Sequence, residues 1–472
     1  MTGYRAITRA RKIVFWISTT LFVLTWPLLI LYALGIVISP SARHPVVETG
    51  VMRVESYPSG ARVLLDGTDT GKTTPAAIER LRAGDYRIEL EKSGYADWSA
   101  RVSVDIQAVR RVAYAVLVPH LSKVRLVSTG SHSAALLSHN SQELILTGET
   151  VAQLKVLDLR SEHYLTDGPG LAPYKQDPVV RVDLLPWGGD LMLHILHQGR
   201  RVVLIVHIGP LGVELQHAVE EPPFHGADFA WSPTLSGAVY FMRRRDLWRM
   251  DSWSADSASP IAGMILSVGI VNNTLYYIDA RGQLGEITPF GRPRVLFTIP
   301  PQARARLSAG TKIEYIGSDW GAVLAPSGGL YLLHAAGIEE YPAVRGVSVD
   351  KARERLIVWS KERVGSLPFP AGGRKGFRTS IEWAPGPPTN AAIGSVTPAA
   401  SNSNCLFVSD GVVWMEPVIP GVVGQAQRIL TLAPGEHYLY SEATGQLLVT
   451  DRAIGQMRVI RLFVRPLIPT LE

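Results

Sequence analysis

The repeat that decides the fold is plainest in residues 231–249, which read WSPTLSGAVYFMRRRDLWR. A turn rich in Ser, Pro and Gly leads into the apolar run Val239 to Phe241, and a second short run, Asp246 to Arg249, follows across a tight turn. Two such runs separated by a few turn residues are typical of a β-hairpin. We therefore expect two antiparallel strands here.

The same unit recurs on both sides of this stretch. Clean copies lead into strands that begin at Leu144 and Leu191, and less regular copies begin at Leu275, Leu330, Leu356, Leu406 and Leu447. Successive strand starts are separated by 47, 48, 36, 55, 26, 50 and 41 residues, about 43 on average. A four-stranded propeller blade takes about 40–45 residues, and the 26-residue step is too short for one. We therefore predict a β-propeller over residues 122–472, with seven blades or, as the alternative, eight.

Two segments resemble a known repeat. Phe229-Ala230-Trp231-Ser232-Pro233, followed by Gly237 and an apolar run, is similar to the repeat of TolB-type propellers. Ile381-Glu382-Trp383-Ala384-Pro385 looks like a decayed second copy. The resemblance covers single repeats, and it implies a propeller fold.

The N-terminal part contains an apolar stretch, Ile13 to Ile38, without one charged side chain. A helix of that length reaches roughly 39 Å, more than the hydrocarbon core of a bilayer. We predict one transmembrane α-helix at residues 13–38, between a cytoplasmic tail at 1–12 and a linker at 39–49. A cleaved secretory signal is the rival interpretation, but Pro40 and Arg43 do not suit a cleavage site.

The charges around this stretch indicate its orientation. Arg5, Arg9, Arg11 and Lys12 precede it and only Arg43 follows closely, which places the N-terminus inside the cell and exports the rest. These four cations supply most of the net charge of +6, so the exported part is nearly neutral. The composition therefore offers little support for nucleic-acid binding. Arg outnumbers Lys, which suggests a bacterial genome rich in G and C.

Residues 50–121 form a second predicted β-domain. Alternating apolar residues recur in five short runs between Val51 and Val118, separated by turn signals such as Asp66-Gly67. The spacing of these turns resembles a PEGA domain, whose name motif reads Pro58-Ser59-Gly60-Ala61 here. The matching motif positions are Pro58, Gly60, Ala61, Asp66, Gly67, Gly71, Pro75, Gly84, Gly94 and Tyr95. The resemblance implies a small β-sandwich of the cell envelope, without known catalytic residues.

Catalytic signatures are missing from the sequence. It has no Gly-x-Ser-x-Gly elbow and no Gly-rich phosphate loop before a helix. His194 and His197 lie on opposite faces of a predicted strand, so they cannot share a metal ion there. Cys405 is the single cysteine, which excludes an intramolecular disulfide, and its apolar neighbours predict a buried thiol. We therefore expect no catalytic residue, metal or cofactor.

One cluster of cations remains as a candidate contact site. Arg243, Arg244 and Arg245 occupy the tip of the predicted hairpin, with Trp248 and Arg249 following. Guanidinium groups bind carboxylates and phosphates bidentately, so the tip could hold an anionic ligand or partner. A solvated turn, partly neutralised by Asp246, is the simpler interpretation.

These features together predict a membrane-anchored, extracytoplasmic envelope protein that is not an enzyme. An uncleaved signal anchor, a PEGA-like spacer and a propeller suit a scaffold whose propeller binds an envelope protein partner. Two other functions stay open: binding of a cell-wall or surface polysaccharide, and a hydrolase or lyase with its site at the centre of the propeller. The sequence does not identify the ligand or the oligomeric state.

Overall fold

The computed structural model describes most of the chain. The described residues are 3–33, 36–38, 46–120, 125–128, 132–138, 140–184, 190–209, 212–220, 228–231, 238–251, 257–271, 274–288, 291–299, 301–317, 320–334, 337–370, 380–389, 391–400, 402–451 and 456–462. They form two compact units. Unit 1 is Met1–Leu117 with Gly421–Gln425, and unit 2 is Val118–Pro420 with Ala426–Glu472.

Unit 1 begins with helix α1, Gly3–Ala33, which contains Pro27. The helix starts earlier than the predicted span and ends before residue 38, because Ile36–Ile38 form a short strand, β1. Over the described residues, no helix has both the length and the apolar character that a membrane crossing requires. The span at 13–38 stays a prediction. Most of the predicted linker lies outside the described residues, and from Val46 onward it is already strand.

Two sheets form the β-domain of unit 1. In the first, β2 (Val46–Tyr57) pairs with β1 and β5 (Ala76–Arg82) in antiparallel fashion and with β8 (Val109–Val116) in parallel. The second has the order β37-β7-β6-β3-β4. Its strands are β3 (Arg62–Leu65), β4 (Thr68–Thr73), β6 (Gly84–Glu91), β7 (Trp98–Val104) and β37 (Val422–Gly424).

Alternation of side chains builds the core of this domain. In β7, Trp98, Ala100, Val102 and Val104 are buried and the residues between them are more exposed, as expected for a strand with one face on the core. The two sheets meet where β7 contacts β2 and β8. The other edge of β7 is covered by β37, which comes from a distant part of the chain and which the predicted boundary at 121 did not include.

Unit 2 consists of four-stranded antiparallel sheets, eight of them among the described residues. Strand β9, Arg125–Ser128, comes first in the chain. Sheets 1 to 4 are made of β10 (Ala134–Leu137), β11 (Glu143–Thr147), β12 (Lys155–Asp158), β13 (His163–Tyr164); β14 (Val179–Leu184), β15 (Asp190–His197), β16 (Arg200–Gly209), β17 (Gly212–Glu220); β18 (Asp228–Trp231), β19 (Val239–Arg243), β20 (Asp246–Met250), β21 (Ser259–Ala262); and β22 (Ile265–Val271), β23 (Thr274–Asp279), β24 (Gln283–Ile287), β25 (Pro293–Thr298).

The other four sheets continue the series. They are made of β26 (Lys312–Ile316), β27 (Trp320–Leu324), β28 (Leu330–His334), β29 (Gly337–Tyr341); β30 (Gly346–Asp350), β31 (Arg355–Trp359), β32 (Val364–Pro368), β33 (Glu382–Trp383); β34 (Gly394–Ala399), β35 (Asn404–Ser409), β36 (Val412–Pro417), β38 (Gln427–Thr431); and β39 (Glu436–Ser441), β40 (Gln446–Asp451), β41 (Gln456–Arg461) with β9. Helix α2, Pro301–Arg304, lies between sheets 4 and 5, and short 3-10 turns cover Val151–Gln153, Pro169–Tyr174 and Lys351–Arg353.

The sheets are the blades of a closed ring. At four junctions the first strands of neighbouring sheets contact each other: β18 contacts β22, β22 contacts β26, β26 contacts β30, and β39 of sheet 8 contacts β10 of sheet 1. Strand β9 completes sheet 8 by pairing with β41, so a strand from before the first blade closes the last one. This is a β-propeller, which confirms the predicted fold of this part of the chain.

Burial on both faces explains the apolar runs of the second strands. In β11, Leu144 and Leu146 pack against blade 8, and Ile145 between them packs against blade 2. In β35, Phe407 packs against Ile357 of blade 6. A strand between two neighbouring sheets has no solvent face, so its sequence is continuously apolar rather than alternating.

The prediction of seven blades was wrong, and the alternative of eight is confirmed, because the described residues form eight blades. The error comes from Leu330, which begins the third strand of blade 5, whereas the other strand starts mark second strands. The second strand of that blade begins at Trp320, which is 45 residues after Leu275 and 36 before Leu356. Its sequence, Trp-Gly-Ala-Val-Leu, has small residues where the other copies are bulky.

The two TolB-like segments are not equivalent copies. Trp231 ends β18, the first strand of blade 3, whereas Trp383 ends β33, the fourth strand of blade 6. The residues that follow Trp231, 232–237, lie outside the described residues. The second resemblance therefore reflects similar composition rather than an equivalent place in a blade.

Candidate functional site

The predicted arginine hairpin is present in blade 3. Arg243 ends β19, Asp246 begins β20, and the two residues pair across a two-residue turn made of Arg244 and Arg245. All three arginines are exposed. The hairpin places three cationic side chains at one tip.

The backbone of this turn is unusual for its sequence. Arg244 and Arg245 have φ values of +53° and +73°, in the left-handed region that Asn and Gly favour in such turns. A left-handed conformation costs an ordinary residue about 1 to 2 kcal/mol. Each of the two arginines therefore carries a backbone cost of this size at an exposed tip.

Trp248 fixes one of the three cations. The guanidinium carbon of Arg243 lies 5.8 Å from the centre of the Trp248 ring, within cation–π range. Phe241 also stacks with Trp248, with 6.3 Å between the ring centres. The Arg249 guanidinium forms a salt bridge of 2.9 Å with Asp251, the residue that follows β20.

The Asp246 carboxylate is hydrogen-bonded toward the next blade. Its Oδ1 accepts a hydrogen bond of 3.4 Å from the backbone N–H of Met264, which leads into blade 4. The carboxylate therefore helps to hold the hairpin against the next blade. Among the described residues, no salt bridge joins Asp246 to Arg244 or Arg245.

The topology of the propeller assembles further cations around this hairpin. Because the strands of each blade alternate in direction, the turn between its second and third strands lies at the same end as the segments that connect neighbouring blades. We call this end of the ring the connecting face. Its exposed cations in blades 3 to 6 are Arg243, Arg244, Arg245, Arg281, Arg304, Arg306, Lys312, Arg345, Lys361 and Arg363. Some are offset locally, as Arg306 is by Glu340.

A cavity of about 210 Å³ opens among the loops of the connecting face at blade 5. Lys312 and Arg345 line it together with Leu324, Ala325 and Pro326. These residues come from the start of β26, the β27–β28 turn and the segment before β30. No sequence pattern indicates that Lys312 and Arg345 lie close together. The topology of the blade brings both cations to one cavity.

Other ionisable groups are buried within the blades. Glu416 and Cys405 face each other across β35 and β36, and both are fully buried, which confirms the predicted buried thiol. Burial raises the pKa of Glu416 to about 7, against the opposing effects of a hydrogen bond from Gly386 N–H and the charge of Arg363. Burial also raises the pKa of the Cys405 thiol. These groups are packed inside the protein.

The two histidines of β15 have separate partners, as their opposite faces predicted. His194 Nε2 lies 3.3 Å from Asp183 Oδ2, and His197 Nδ1 lies 2.7 Å from Asp177 Oδ2. Among the described residues, no three His, Cys, Asp or Glu side chains are arranged to hold a metal ion.

The PEGA motif residues have structural places in unit 1. Ala61 is fully buried, and the Asp66-Gly67 turn between β3 and β4 has positive φ at both residues. The Asp66 carboxylate accepts a hydrogen bond of 2.8 Å from the backbone N–H of Arg87, tying the turn to β6. Positive φ also occurs at Gly60, Gly71, Gly84 and Gly94, and Pro58 and Pro75 follow cis peptide bonds.

Comparison with known protein families identifies the small β-domain of unit 1. Residues 49–116 match the PEGA domain family, which confirms the resemblance seen in the sequence. No curated protein matches this chain.

Several solved structures are similar to this chain at low sequence identity. The β-propeller domain of Cps50 (Swd1) from Myceliophteria thermophila is 11% identical, with a TM-score of 0.38 over 72% of this chain and 99% of that one. BamB from Moraxella catarrhalis is 12% identical, with a TM-score of 0.43 over 72% and 99%. Sqt1 from Saccharomyces cerevisiae is 12% identical, with a TM-score of 0.44 over 73% and 98%.

Proposed function

We propose that this chain, a PEGA domain joined to an eight-bladed propeller, is a membrane-anchored binding protein of the bacterial cell envelope. The propeller is its recognition surface, and the chain acts as a scaffold rather than as an enzyme. One observation carries this proposal: the arginine hairpin of blade 3, a strained turn that presents three exposed cations on the connecting face.

The hairpin suits recognition for a physical reason. The tip is exposed, so its three cations are accessible to a partner, and the unfavourable backbone of the turn motivates the proposal of a role at the surface. Arginine is enriched at the centres of protein interfaces, where its planar guanidinium makes several directed hydrogen bonds. The stacking of Arg243 on Trp248 reduces the freedom of one side chain and so lowers the entropy lost on binding.

The membrane anchor is supported by the charge pattern and by helix α1. The stretch from Ile13 to Ile38 has no charged residue, and cations precede it. Large apolar side chains between Val14 and Ile30 are exposed, from 43% at Ile30 to 66% at Trp16. Exposed apolar side chains on a helix are stable in lipid and costly in water. We propose that residues 1–12 lie in the cytoplasm and that both β-units lie outside it.

Affinity purification tests the binding proposal. The full chain, extracted from membranes with detergent, is expected to retain one or more envelope proteins reproducibly. Retention of a wall polysaccharide without protein would favour the glycan alternative, and turnover of either material by the purified chain would favour a hydrolase or lyase. A reporter enzyme fused after residue 472 tests the orientation, because it must be active on the outer side of the membrane only.

A further inference from the structure

The cavity of blade 5 has the size and lining expected of a site for one charged side chain. Its volume of about 210 Å³ is below the range of typical sites for small organic ligands. Leu324 and Ala325 form a buried apolar part, with relative exposures of 9% and 3%, and Arg345 and Lys312 are exposed. The cavity therefore combines a small apolar interior with two cations.

Arg345 is held in place by the loop that it faces. Its Nη1 donates a hydrogen bond of 2.5 Å to the backbone carbonyl of Ser327. Gly328, at φ +86°, allows this approach, because a Cβ atom there would lie 1.8 Å from Arg345 Nη1. The guanidinium is thus positioned before any ligand arrives, and its other N–H groups can still donate.

Lys312 supplies the second cation at the first residue of β26. Among the described residues, its ammonium group forms no hydrogen bond or salt bridge with another side chain. The ammonium group of Lys312 interacts electrostatically with the carboxyl group of Glu314, two residues further along the strand. Burial raises the pKa of Glu314, and the charge of Lys312 opposes that rise.

We infer that this cavity binds a carboxylate side chain from an acidic segment of a protein partner. The inference rests on the proposed binding function and names the chemistry of the partner. The carboxylate would accept hydrogen bonds from Arg345 and Lys312, and its methylene groups would lie against Leu324, Ala325 and Pro326. The arginine hairpin of blade 3, on the same face, would bind further acidic residues of the same segment.

The apolar interior distinguishes this ligand from other polyanions. A sugar ring would press hydroxyl groups against Leu324 and Ala325, where they would lose hydrogen bonds to water. Lipid headgroups bind to an open array of cations and do not need an enclosed space. An Asp or Glu side chain has both a carboxylate and a short apolar stem.

Titration with a fluorescent poly-glutamate peptide tests this inference on the full chain in detergent. Lys312→Gln/Arg345→Gln is expected to weaken binding by about tenfold or more, because two charge-assisted contacts are lost. The control is Arg160→Gln/Arg292→Gln, which removes the same charge from turns at the opposite end of the blades and is expected to change affinity by less than about twofold. Lys312→Gln alone keeps the test valid if the double variant fails to fold.

Three results would overturn the inference: no binding of the peptide, equal weakening by both double variants, or stronger binding to anionic vesicles or polygalacturonate than to the peptide. The proposed function would survive any of them if the wild-type chain still captured a protein partner from membranes. Capture that fails while the peptide still binds would contradict the proposed function instead.

Discussion

Arg355 and Asp350 form a salt bridge of 2.9 Å in blade 6, and each side chain is only 2% exposed. The guanidinium also donates to the backbone carbonyl of Asn402, at 2.7 Å, and to that of Val418 in blade 7. One side chain therefore satisfies a buried carboxylate and joins two neighbouring blades. A buried charge requires such complete pairing to offset its loss of water.

Arg355→Met is expected to destabilise unit 2 by about 3 to 5 kcal/mol, because Asp350 would keep a buried charge without this partner. Denaturant unfolding measures the change. The matched control is Arg353→Gln, which removes a second and more exposed arginine from the same carboxylate, at 3.0 Å. Its expected cost is below about 1 kcal/mol, so equal costs for the two variants would contradict the role given to Arg355.

Glu416 makes the stability of the propeller depend on pH. Its pKa is about 7 in the folded protein, above the ordinary value of 4.5, so folding favours the protonated form. Stability from this group is present at low pH and is lost as pH rises toward 7. Glu416→Gln cannot ionise, and its stability relative to the wild type is expected to rise by about 2 to 3 kcal/mol between about pH 5 and pH 8. Unfolding curves at both pH values measure this; a constant difference would show that the carboxyl ionises normally.

The backbone of Gly50 is packed so closely against neighbouring residues that there is no room for a Cβ atom. A Cβ atom at this position would lie 2.4 Å from the carbonyl oxygen of Asp105 and 2.7 Å from a methyl carbon of Val104. Gly50→Ala is expected to destabilise unit 1 by about 1 to 3 kcal/mol through overpacking. The comparison variant is Gly67→Ala, which meets no atom within 4 Å but has φ +77°, and should cost about 1 kcal/mol. Protection of the β2 amides from hydrogen exchange reports the difference, and an unchanged pattern in Gly50→Ala would argue against the close contact.

The arginine turn is expected to be less stable than its ideal counterpart. Arg244→Asn/Arg245→Gly keeps the two-residue hairpin and supplies residues that accept positive φ. The free energy of unfolding of the variant should be higher by about 1 to 2 kcal/mol. The variant should therefore unfold at a higher denaturant concentration than the wild type. A loss of stability would mean that the two arginines make favourable contacts that outweigh the backbone cost.

Several features of the fold could be predicted because their signals are local. Runs such as Leu144 to Leu146 are apolar throughout since they are buried on both faces, and such runs mark the second strands of the blades. The PEGA domain is recognisable because its turns demand particular residues, as Asp66-Gly67 does. The arginine hairpin was also visible, since turn and strands lie within one short segment.

Features that depend on distant pairing were missed. Strand β9 pairs with β41, and Val422–Gly424 pair with β7, across most of the length of the chain. Neither short segment has a sequence pattern that indicates which strand it pairs with. Outer strands such as β25 are largely exposed and therefore alternate weakly. Lys312 and Arg345 were not predicted for the same reason, because only the ring brings them to one cavity.

Capture of partners from detergent-solubilised membranes by three forms of the full chain tests the central claim most directly. The forms are the wild type, Arg244→Asn/Arg245→Gly, and the opposite-face control Arg160→Gln/Arg292→Gln. Because binding depends on cations of the connecting face, the hairpin variant should capture about tenfold less partner while being more stable, and the control should match the wild type. Undiminished capture by the hairpin variant would contradict the assignment of the connecting face as the binding surface.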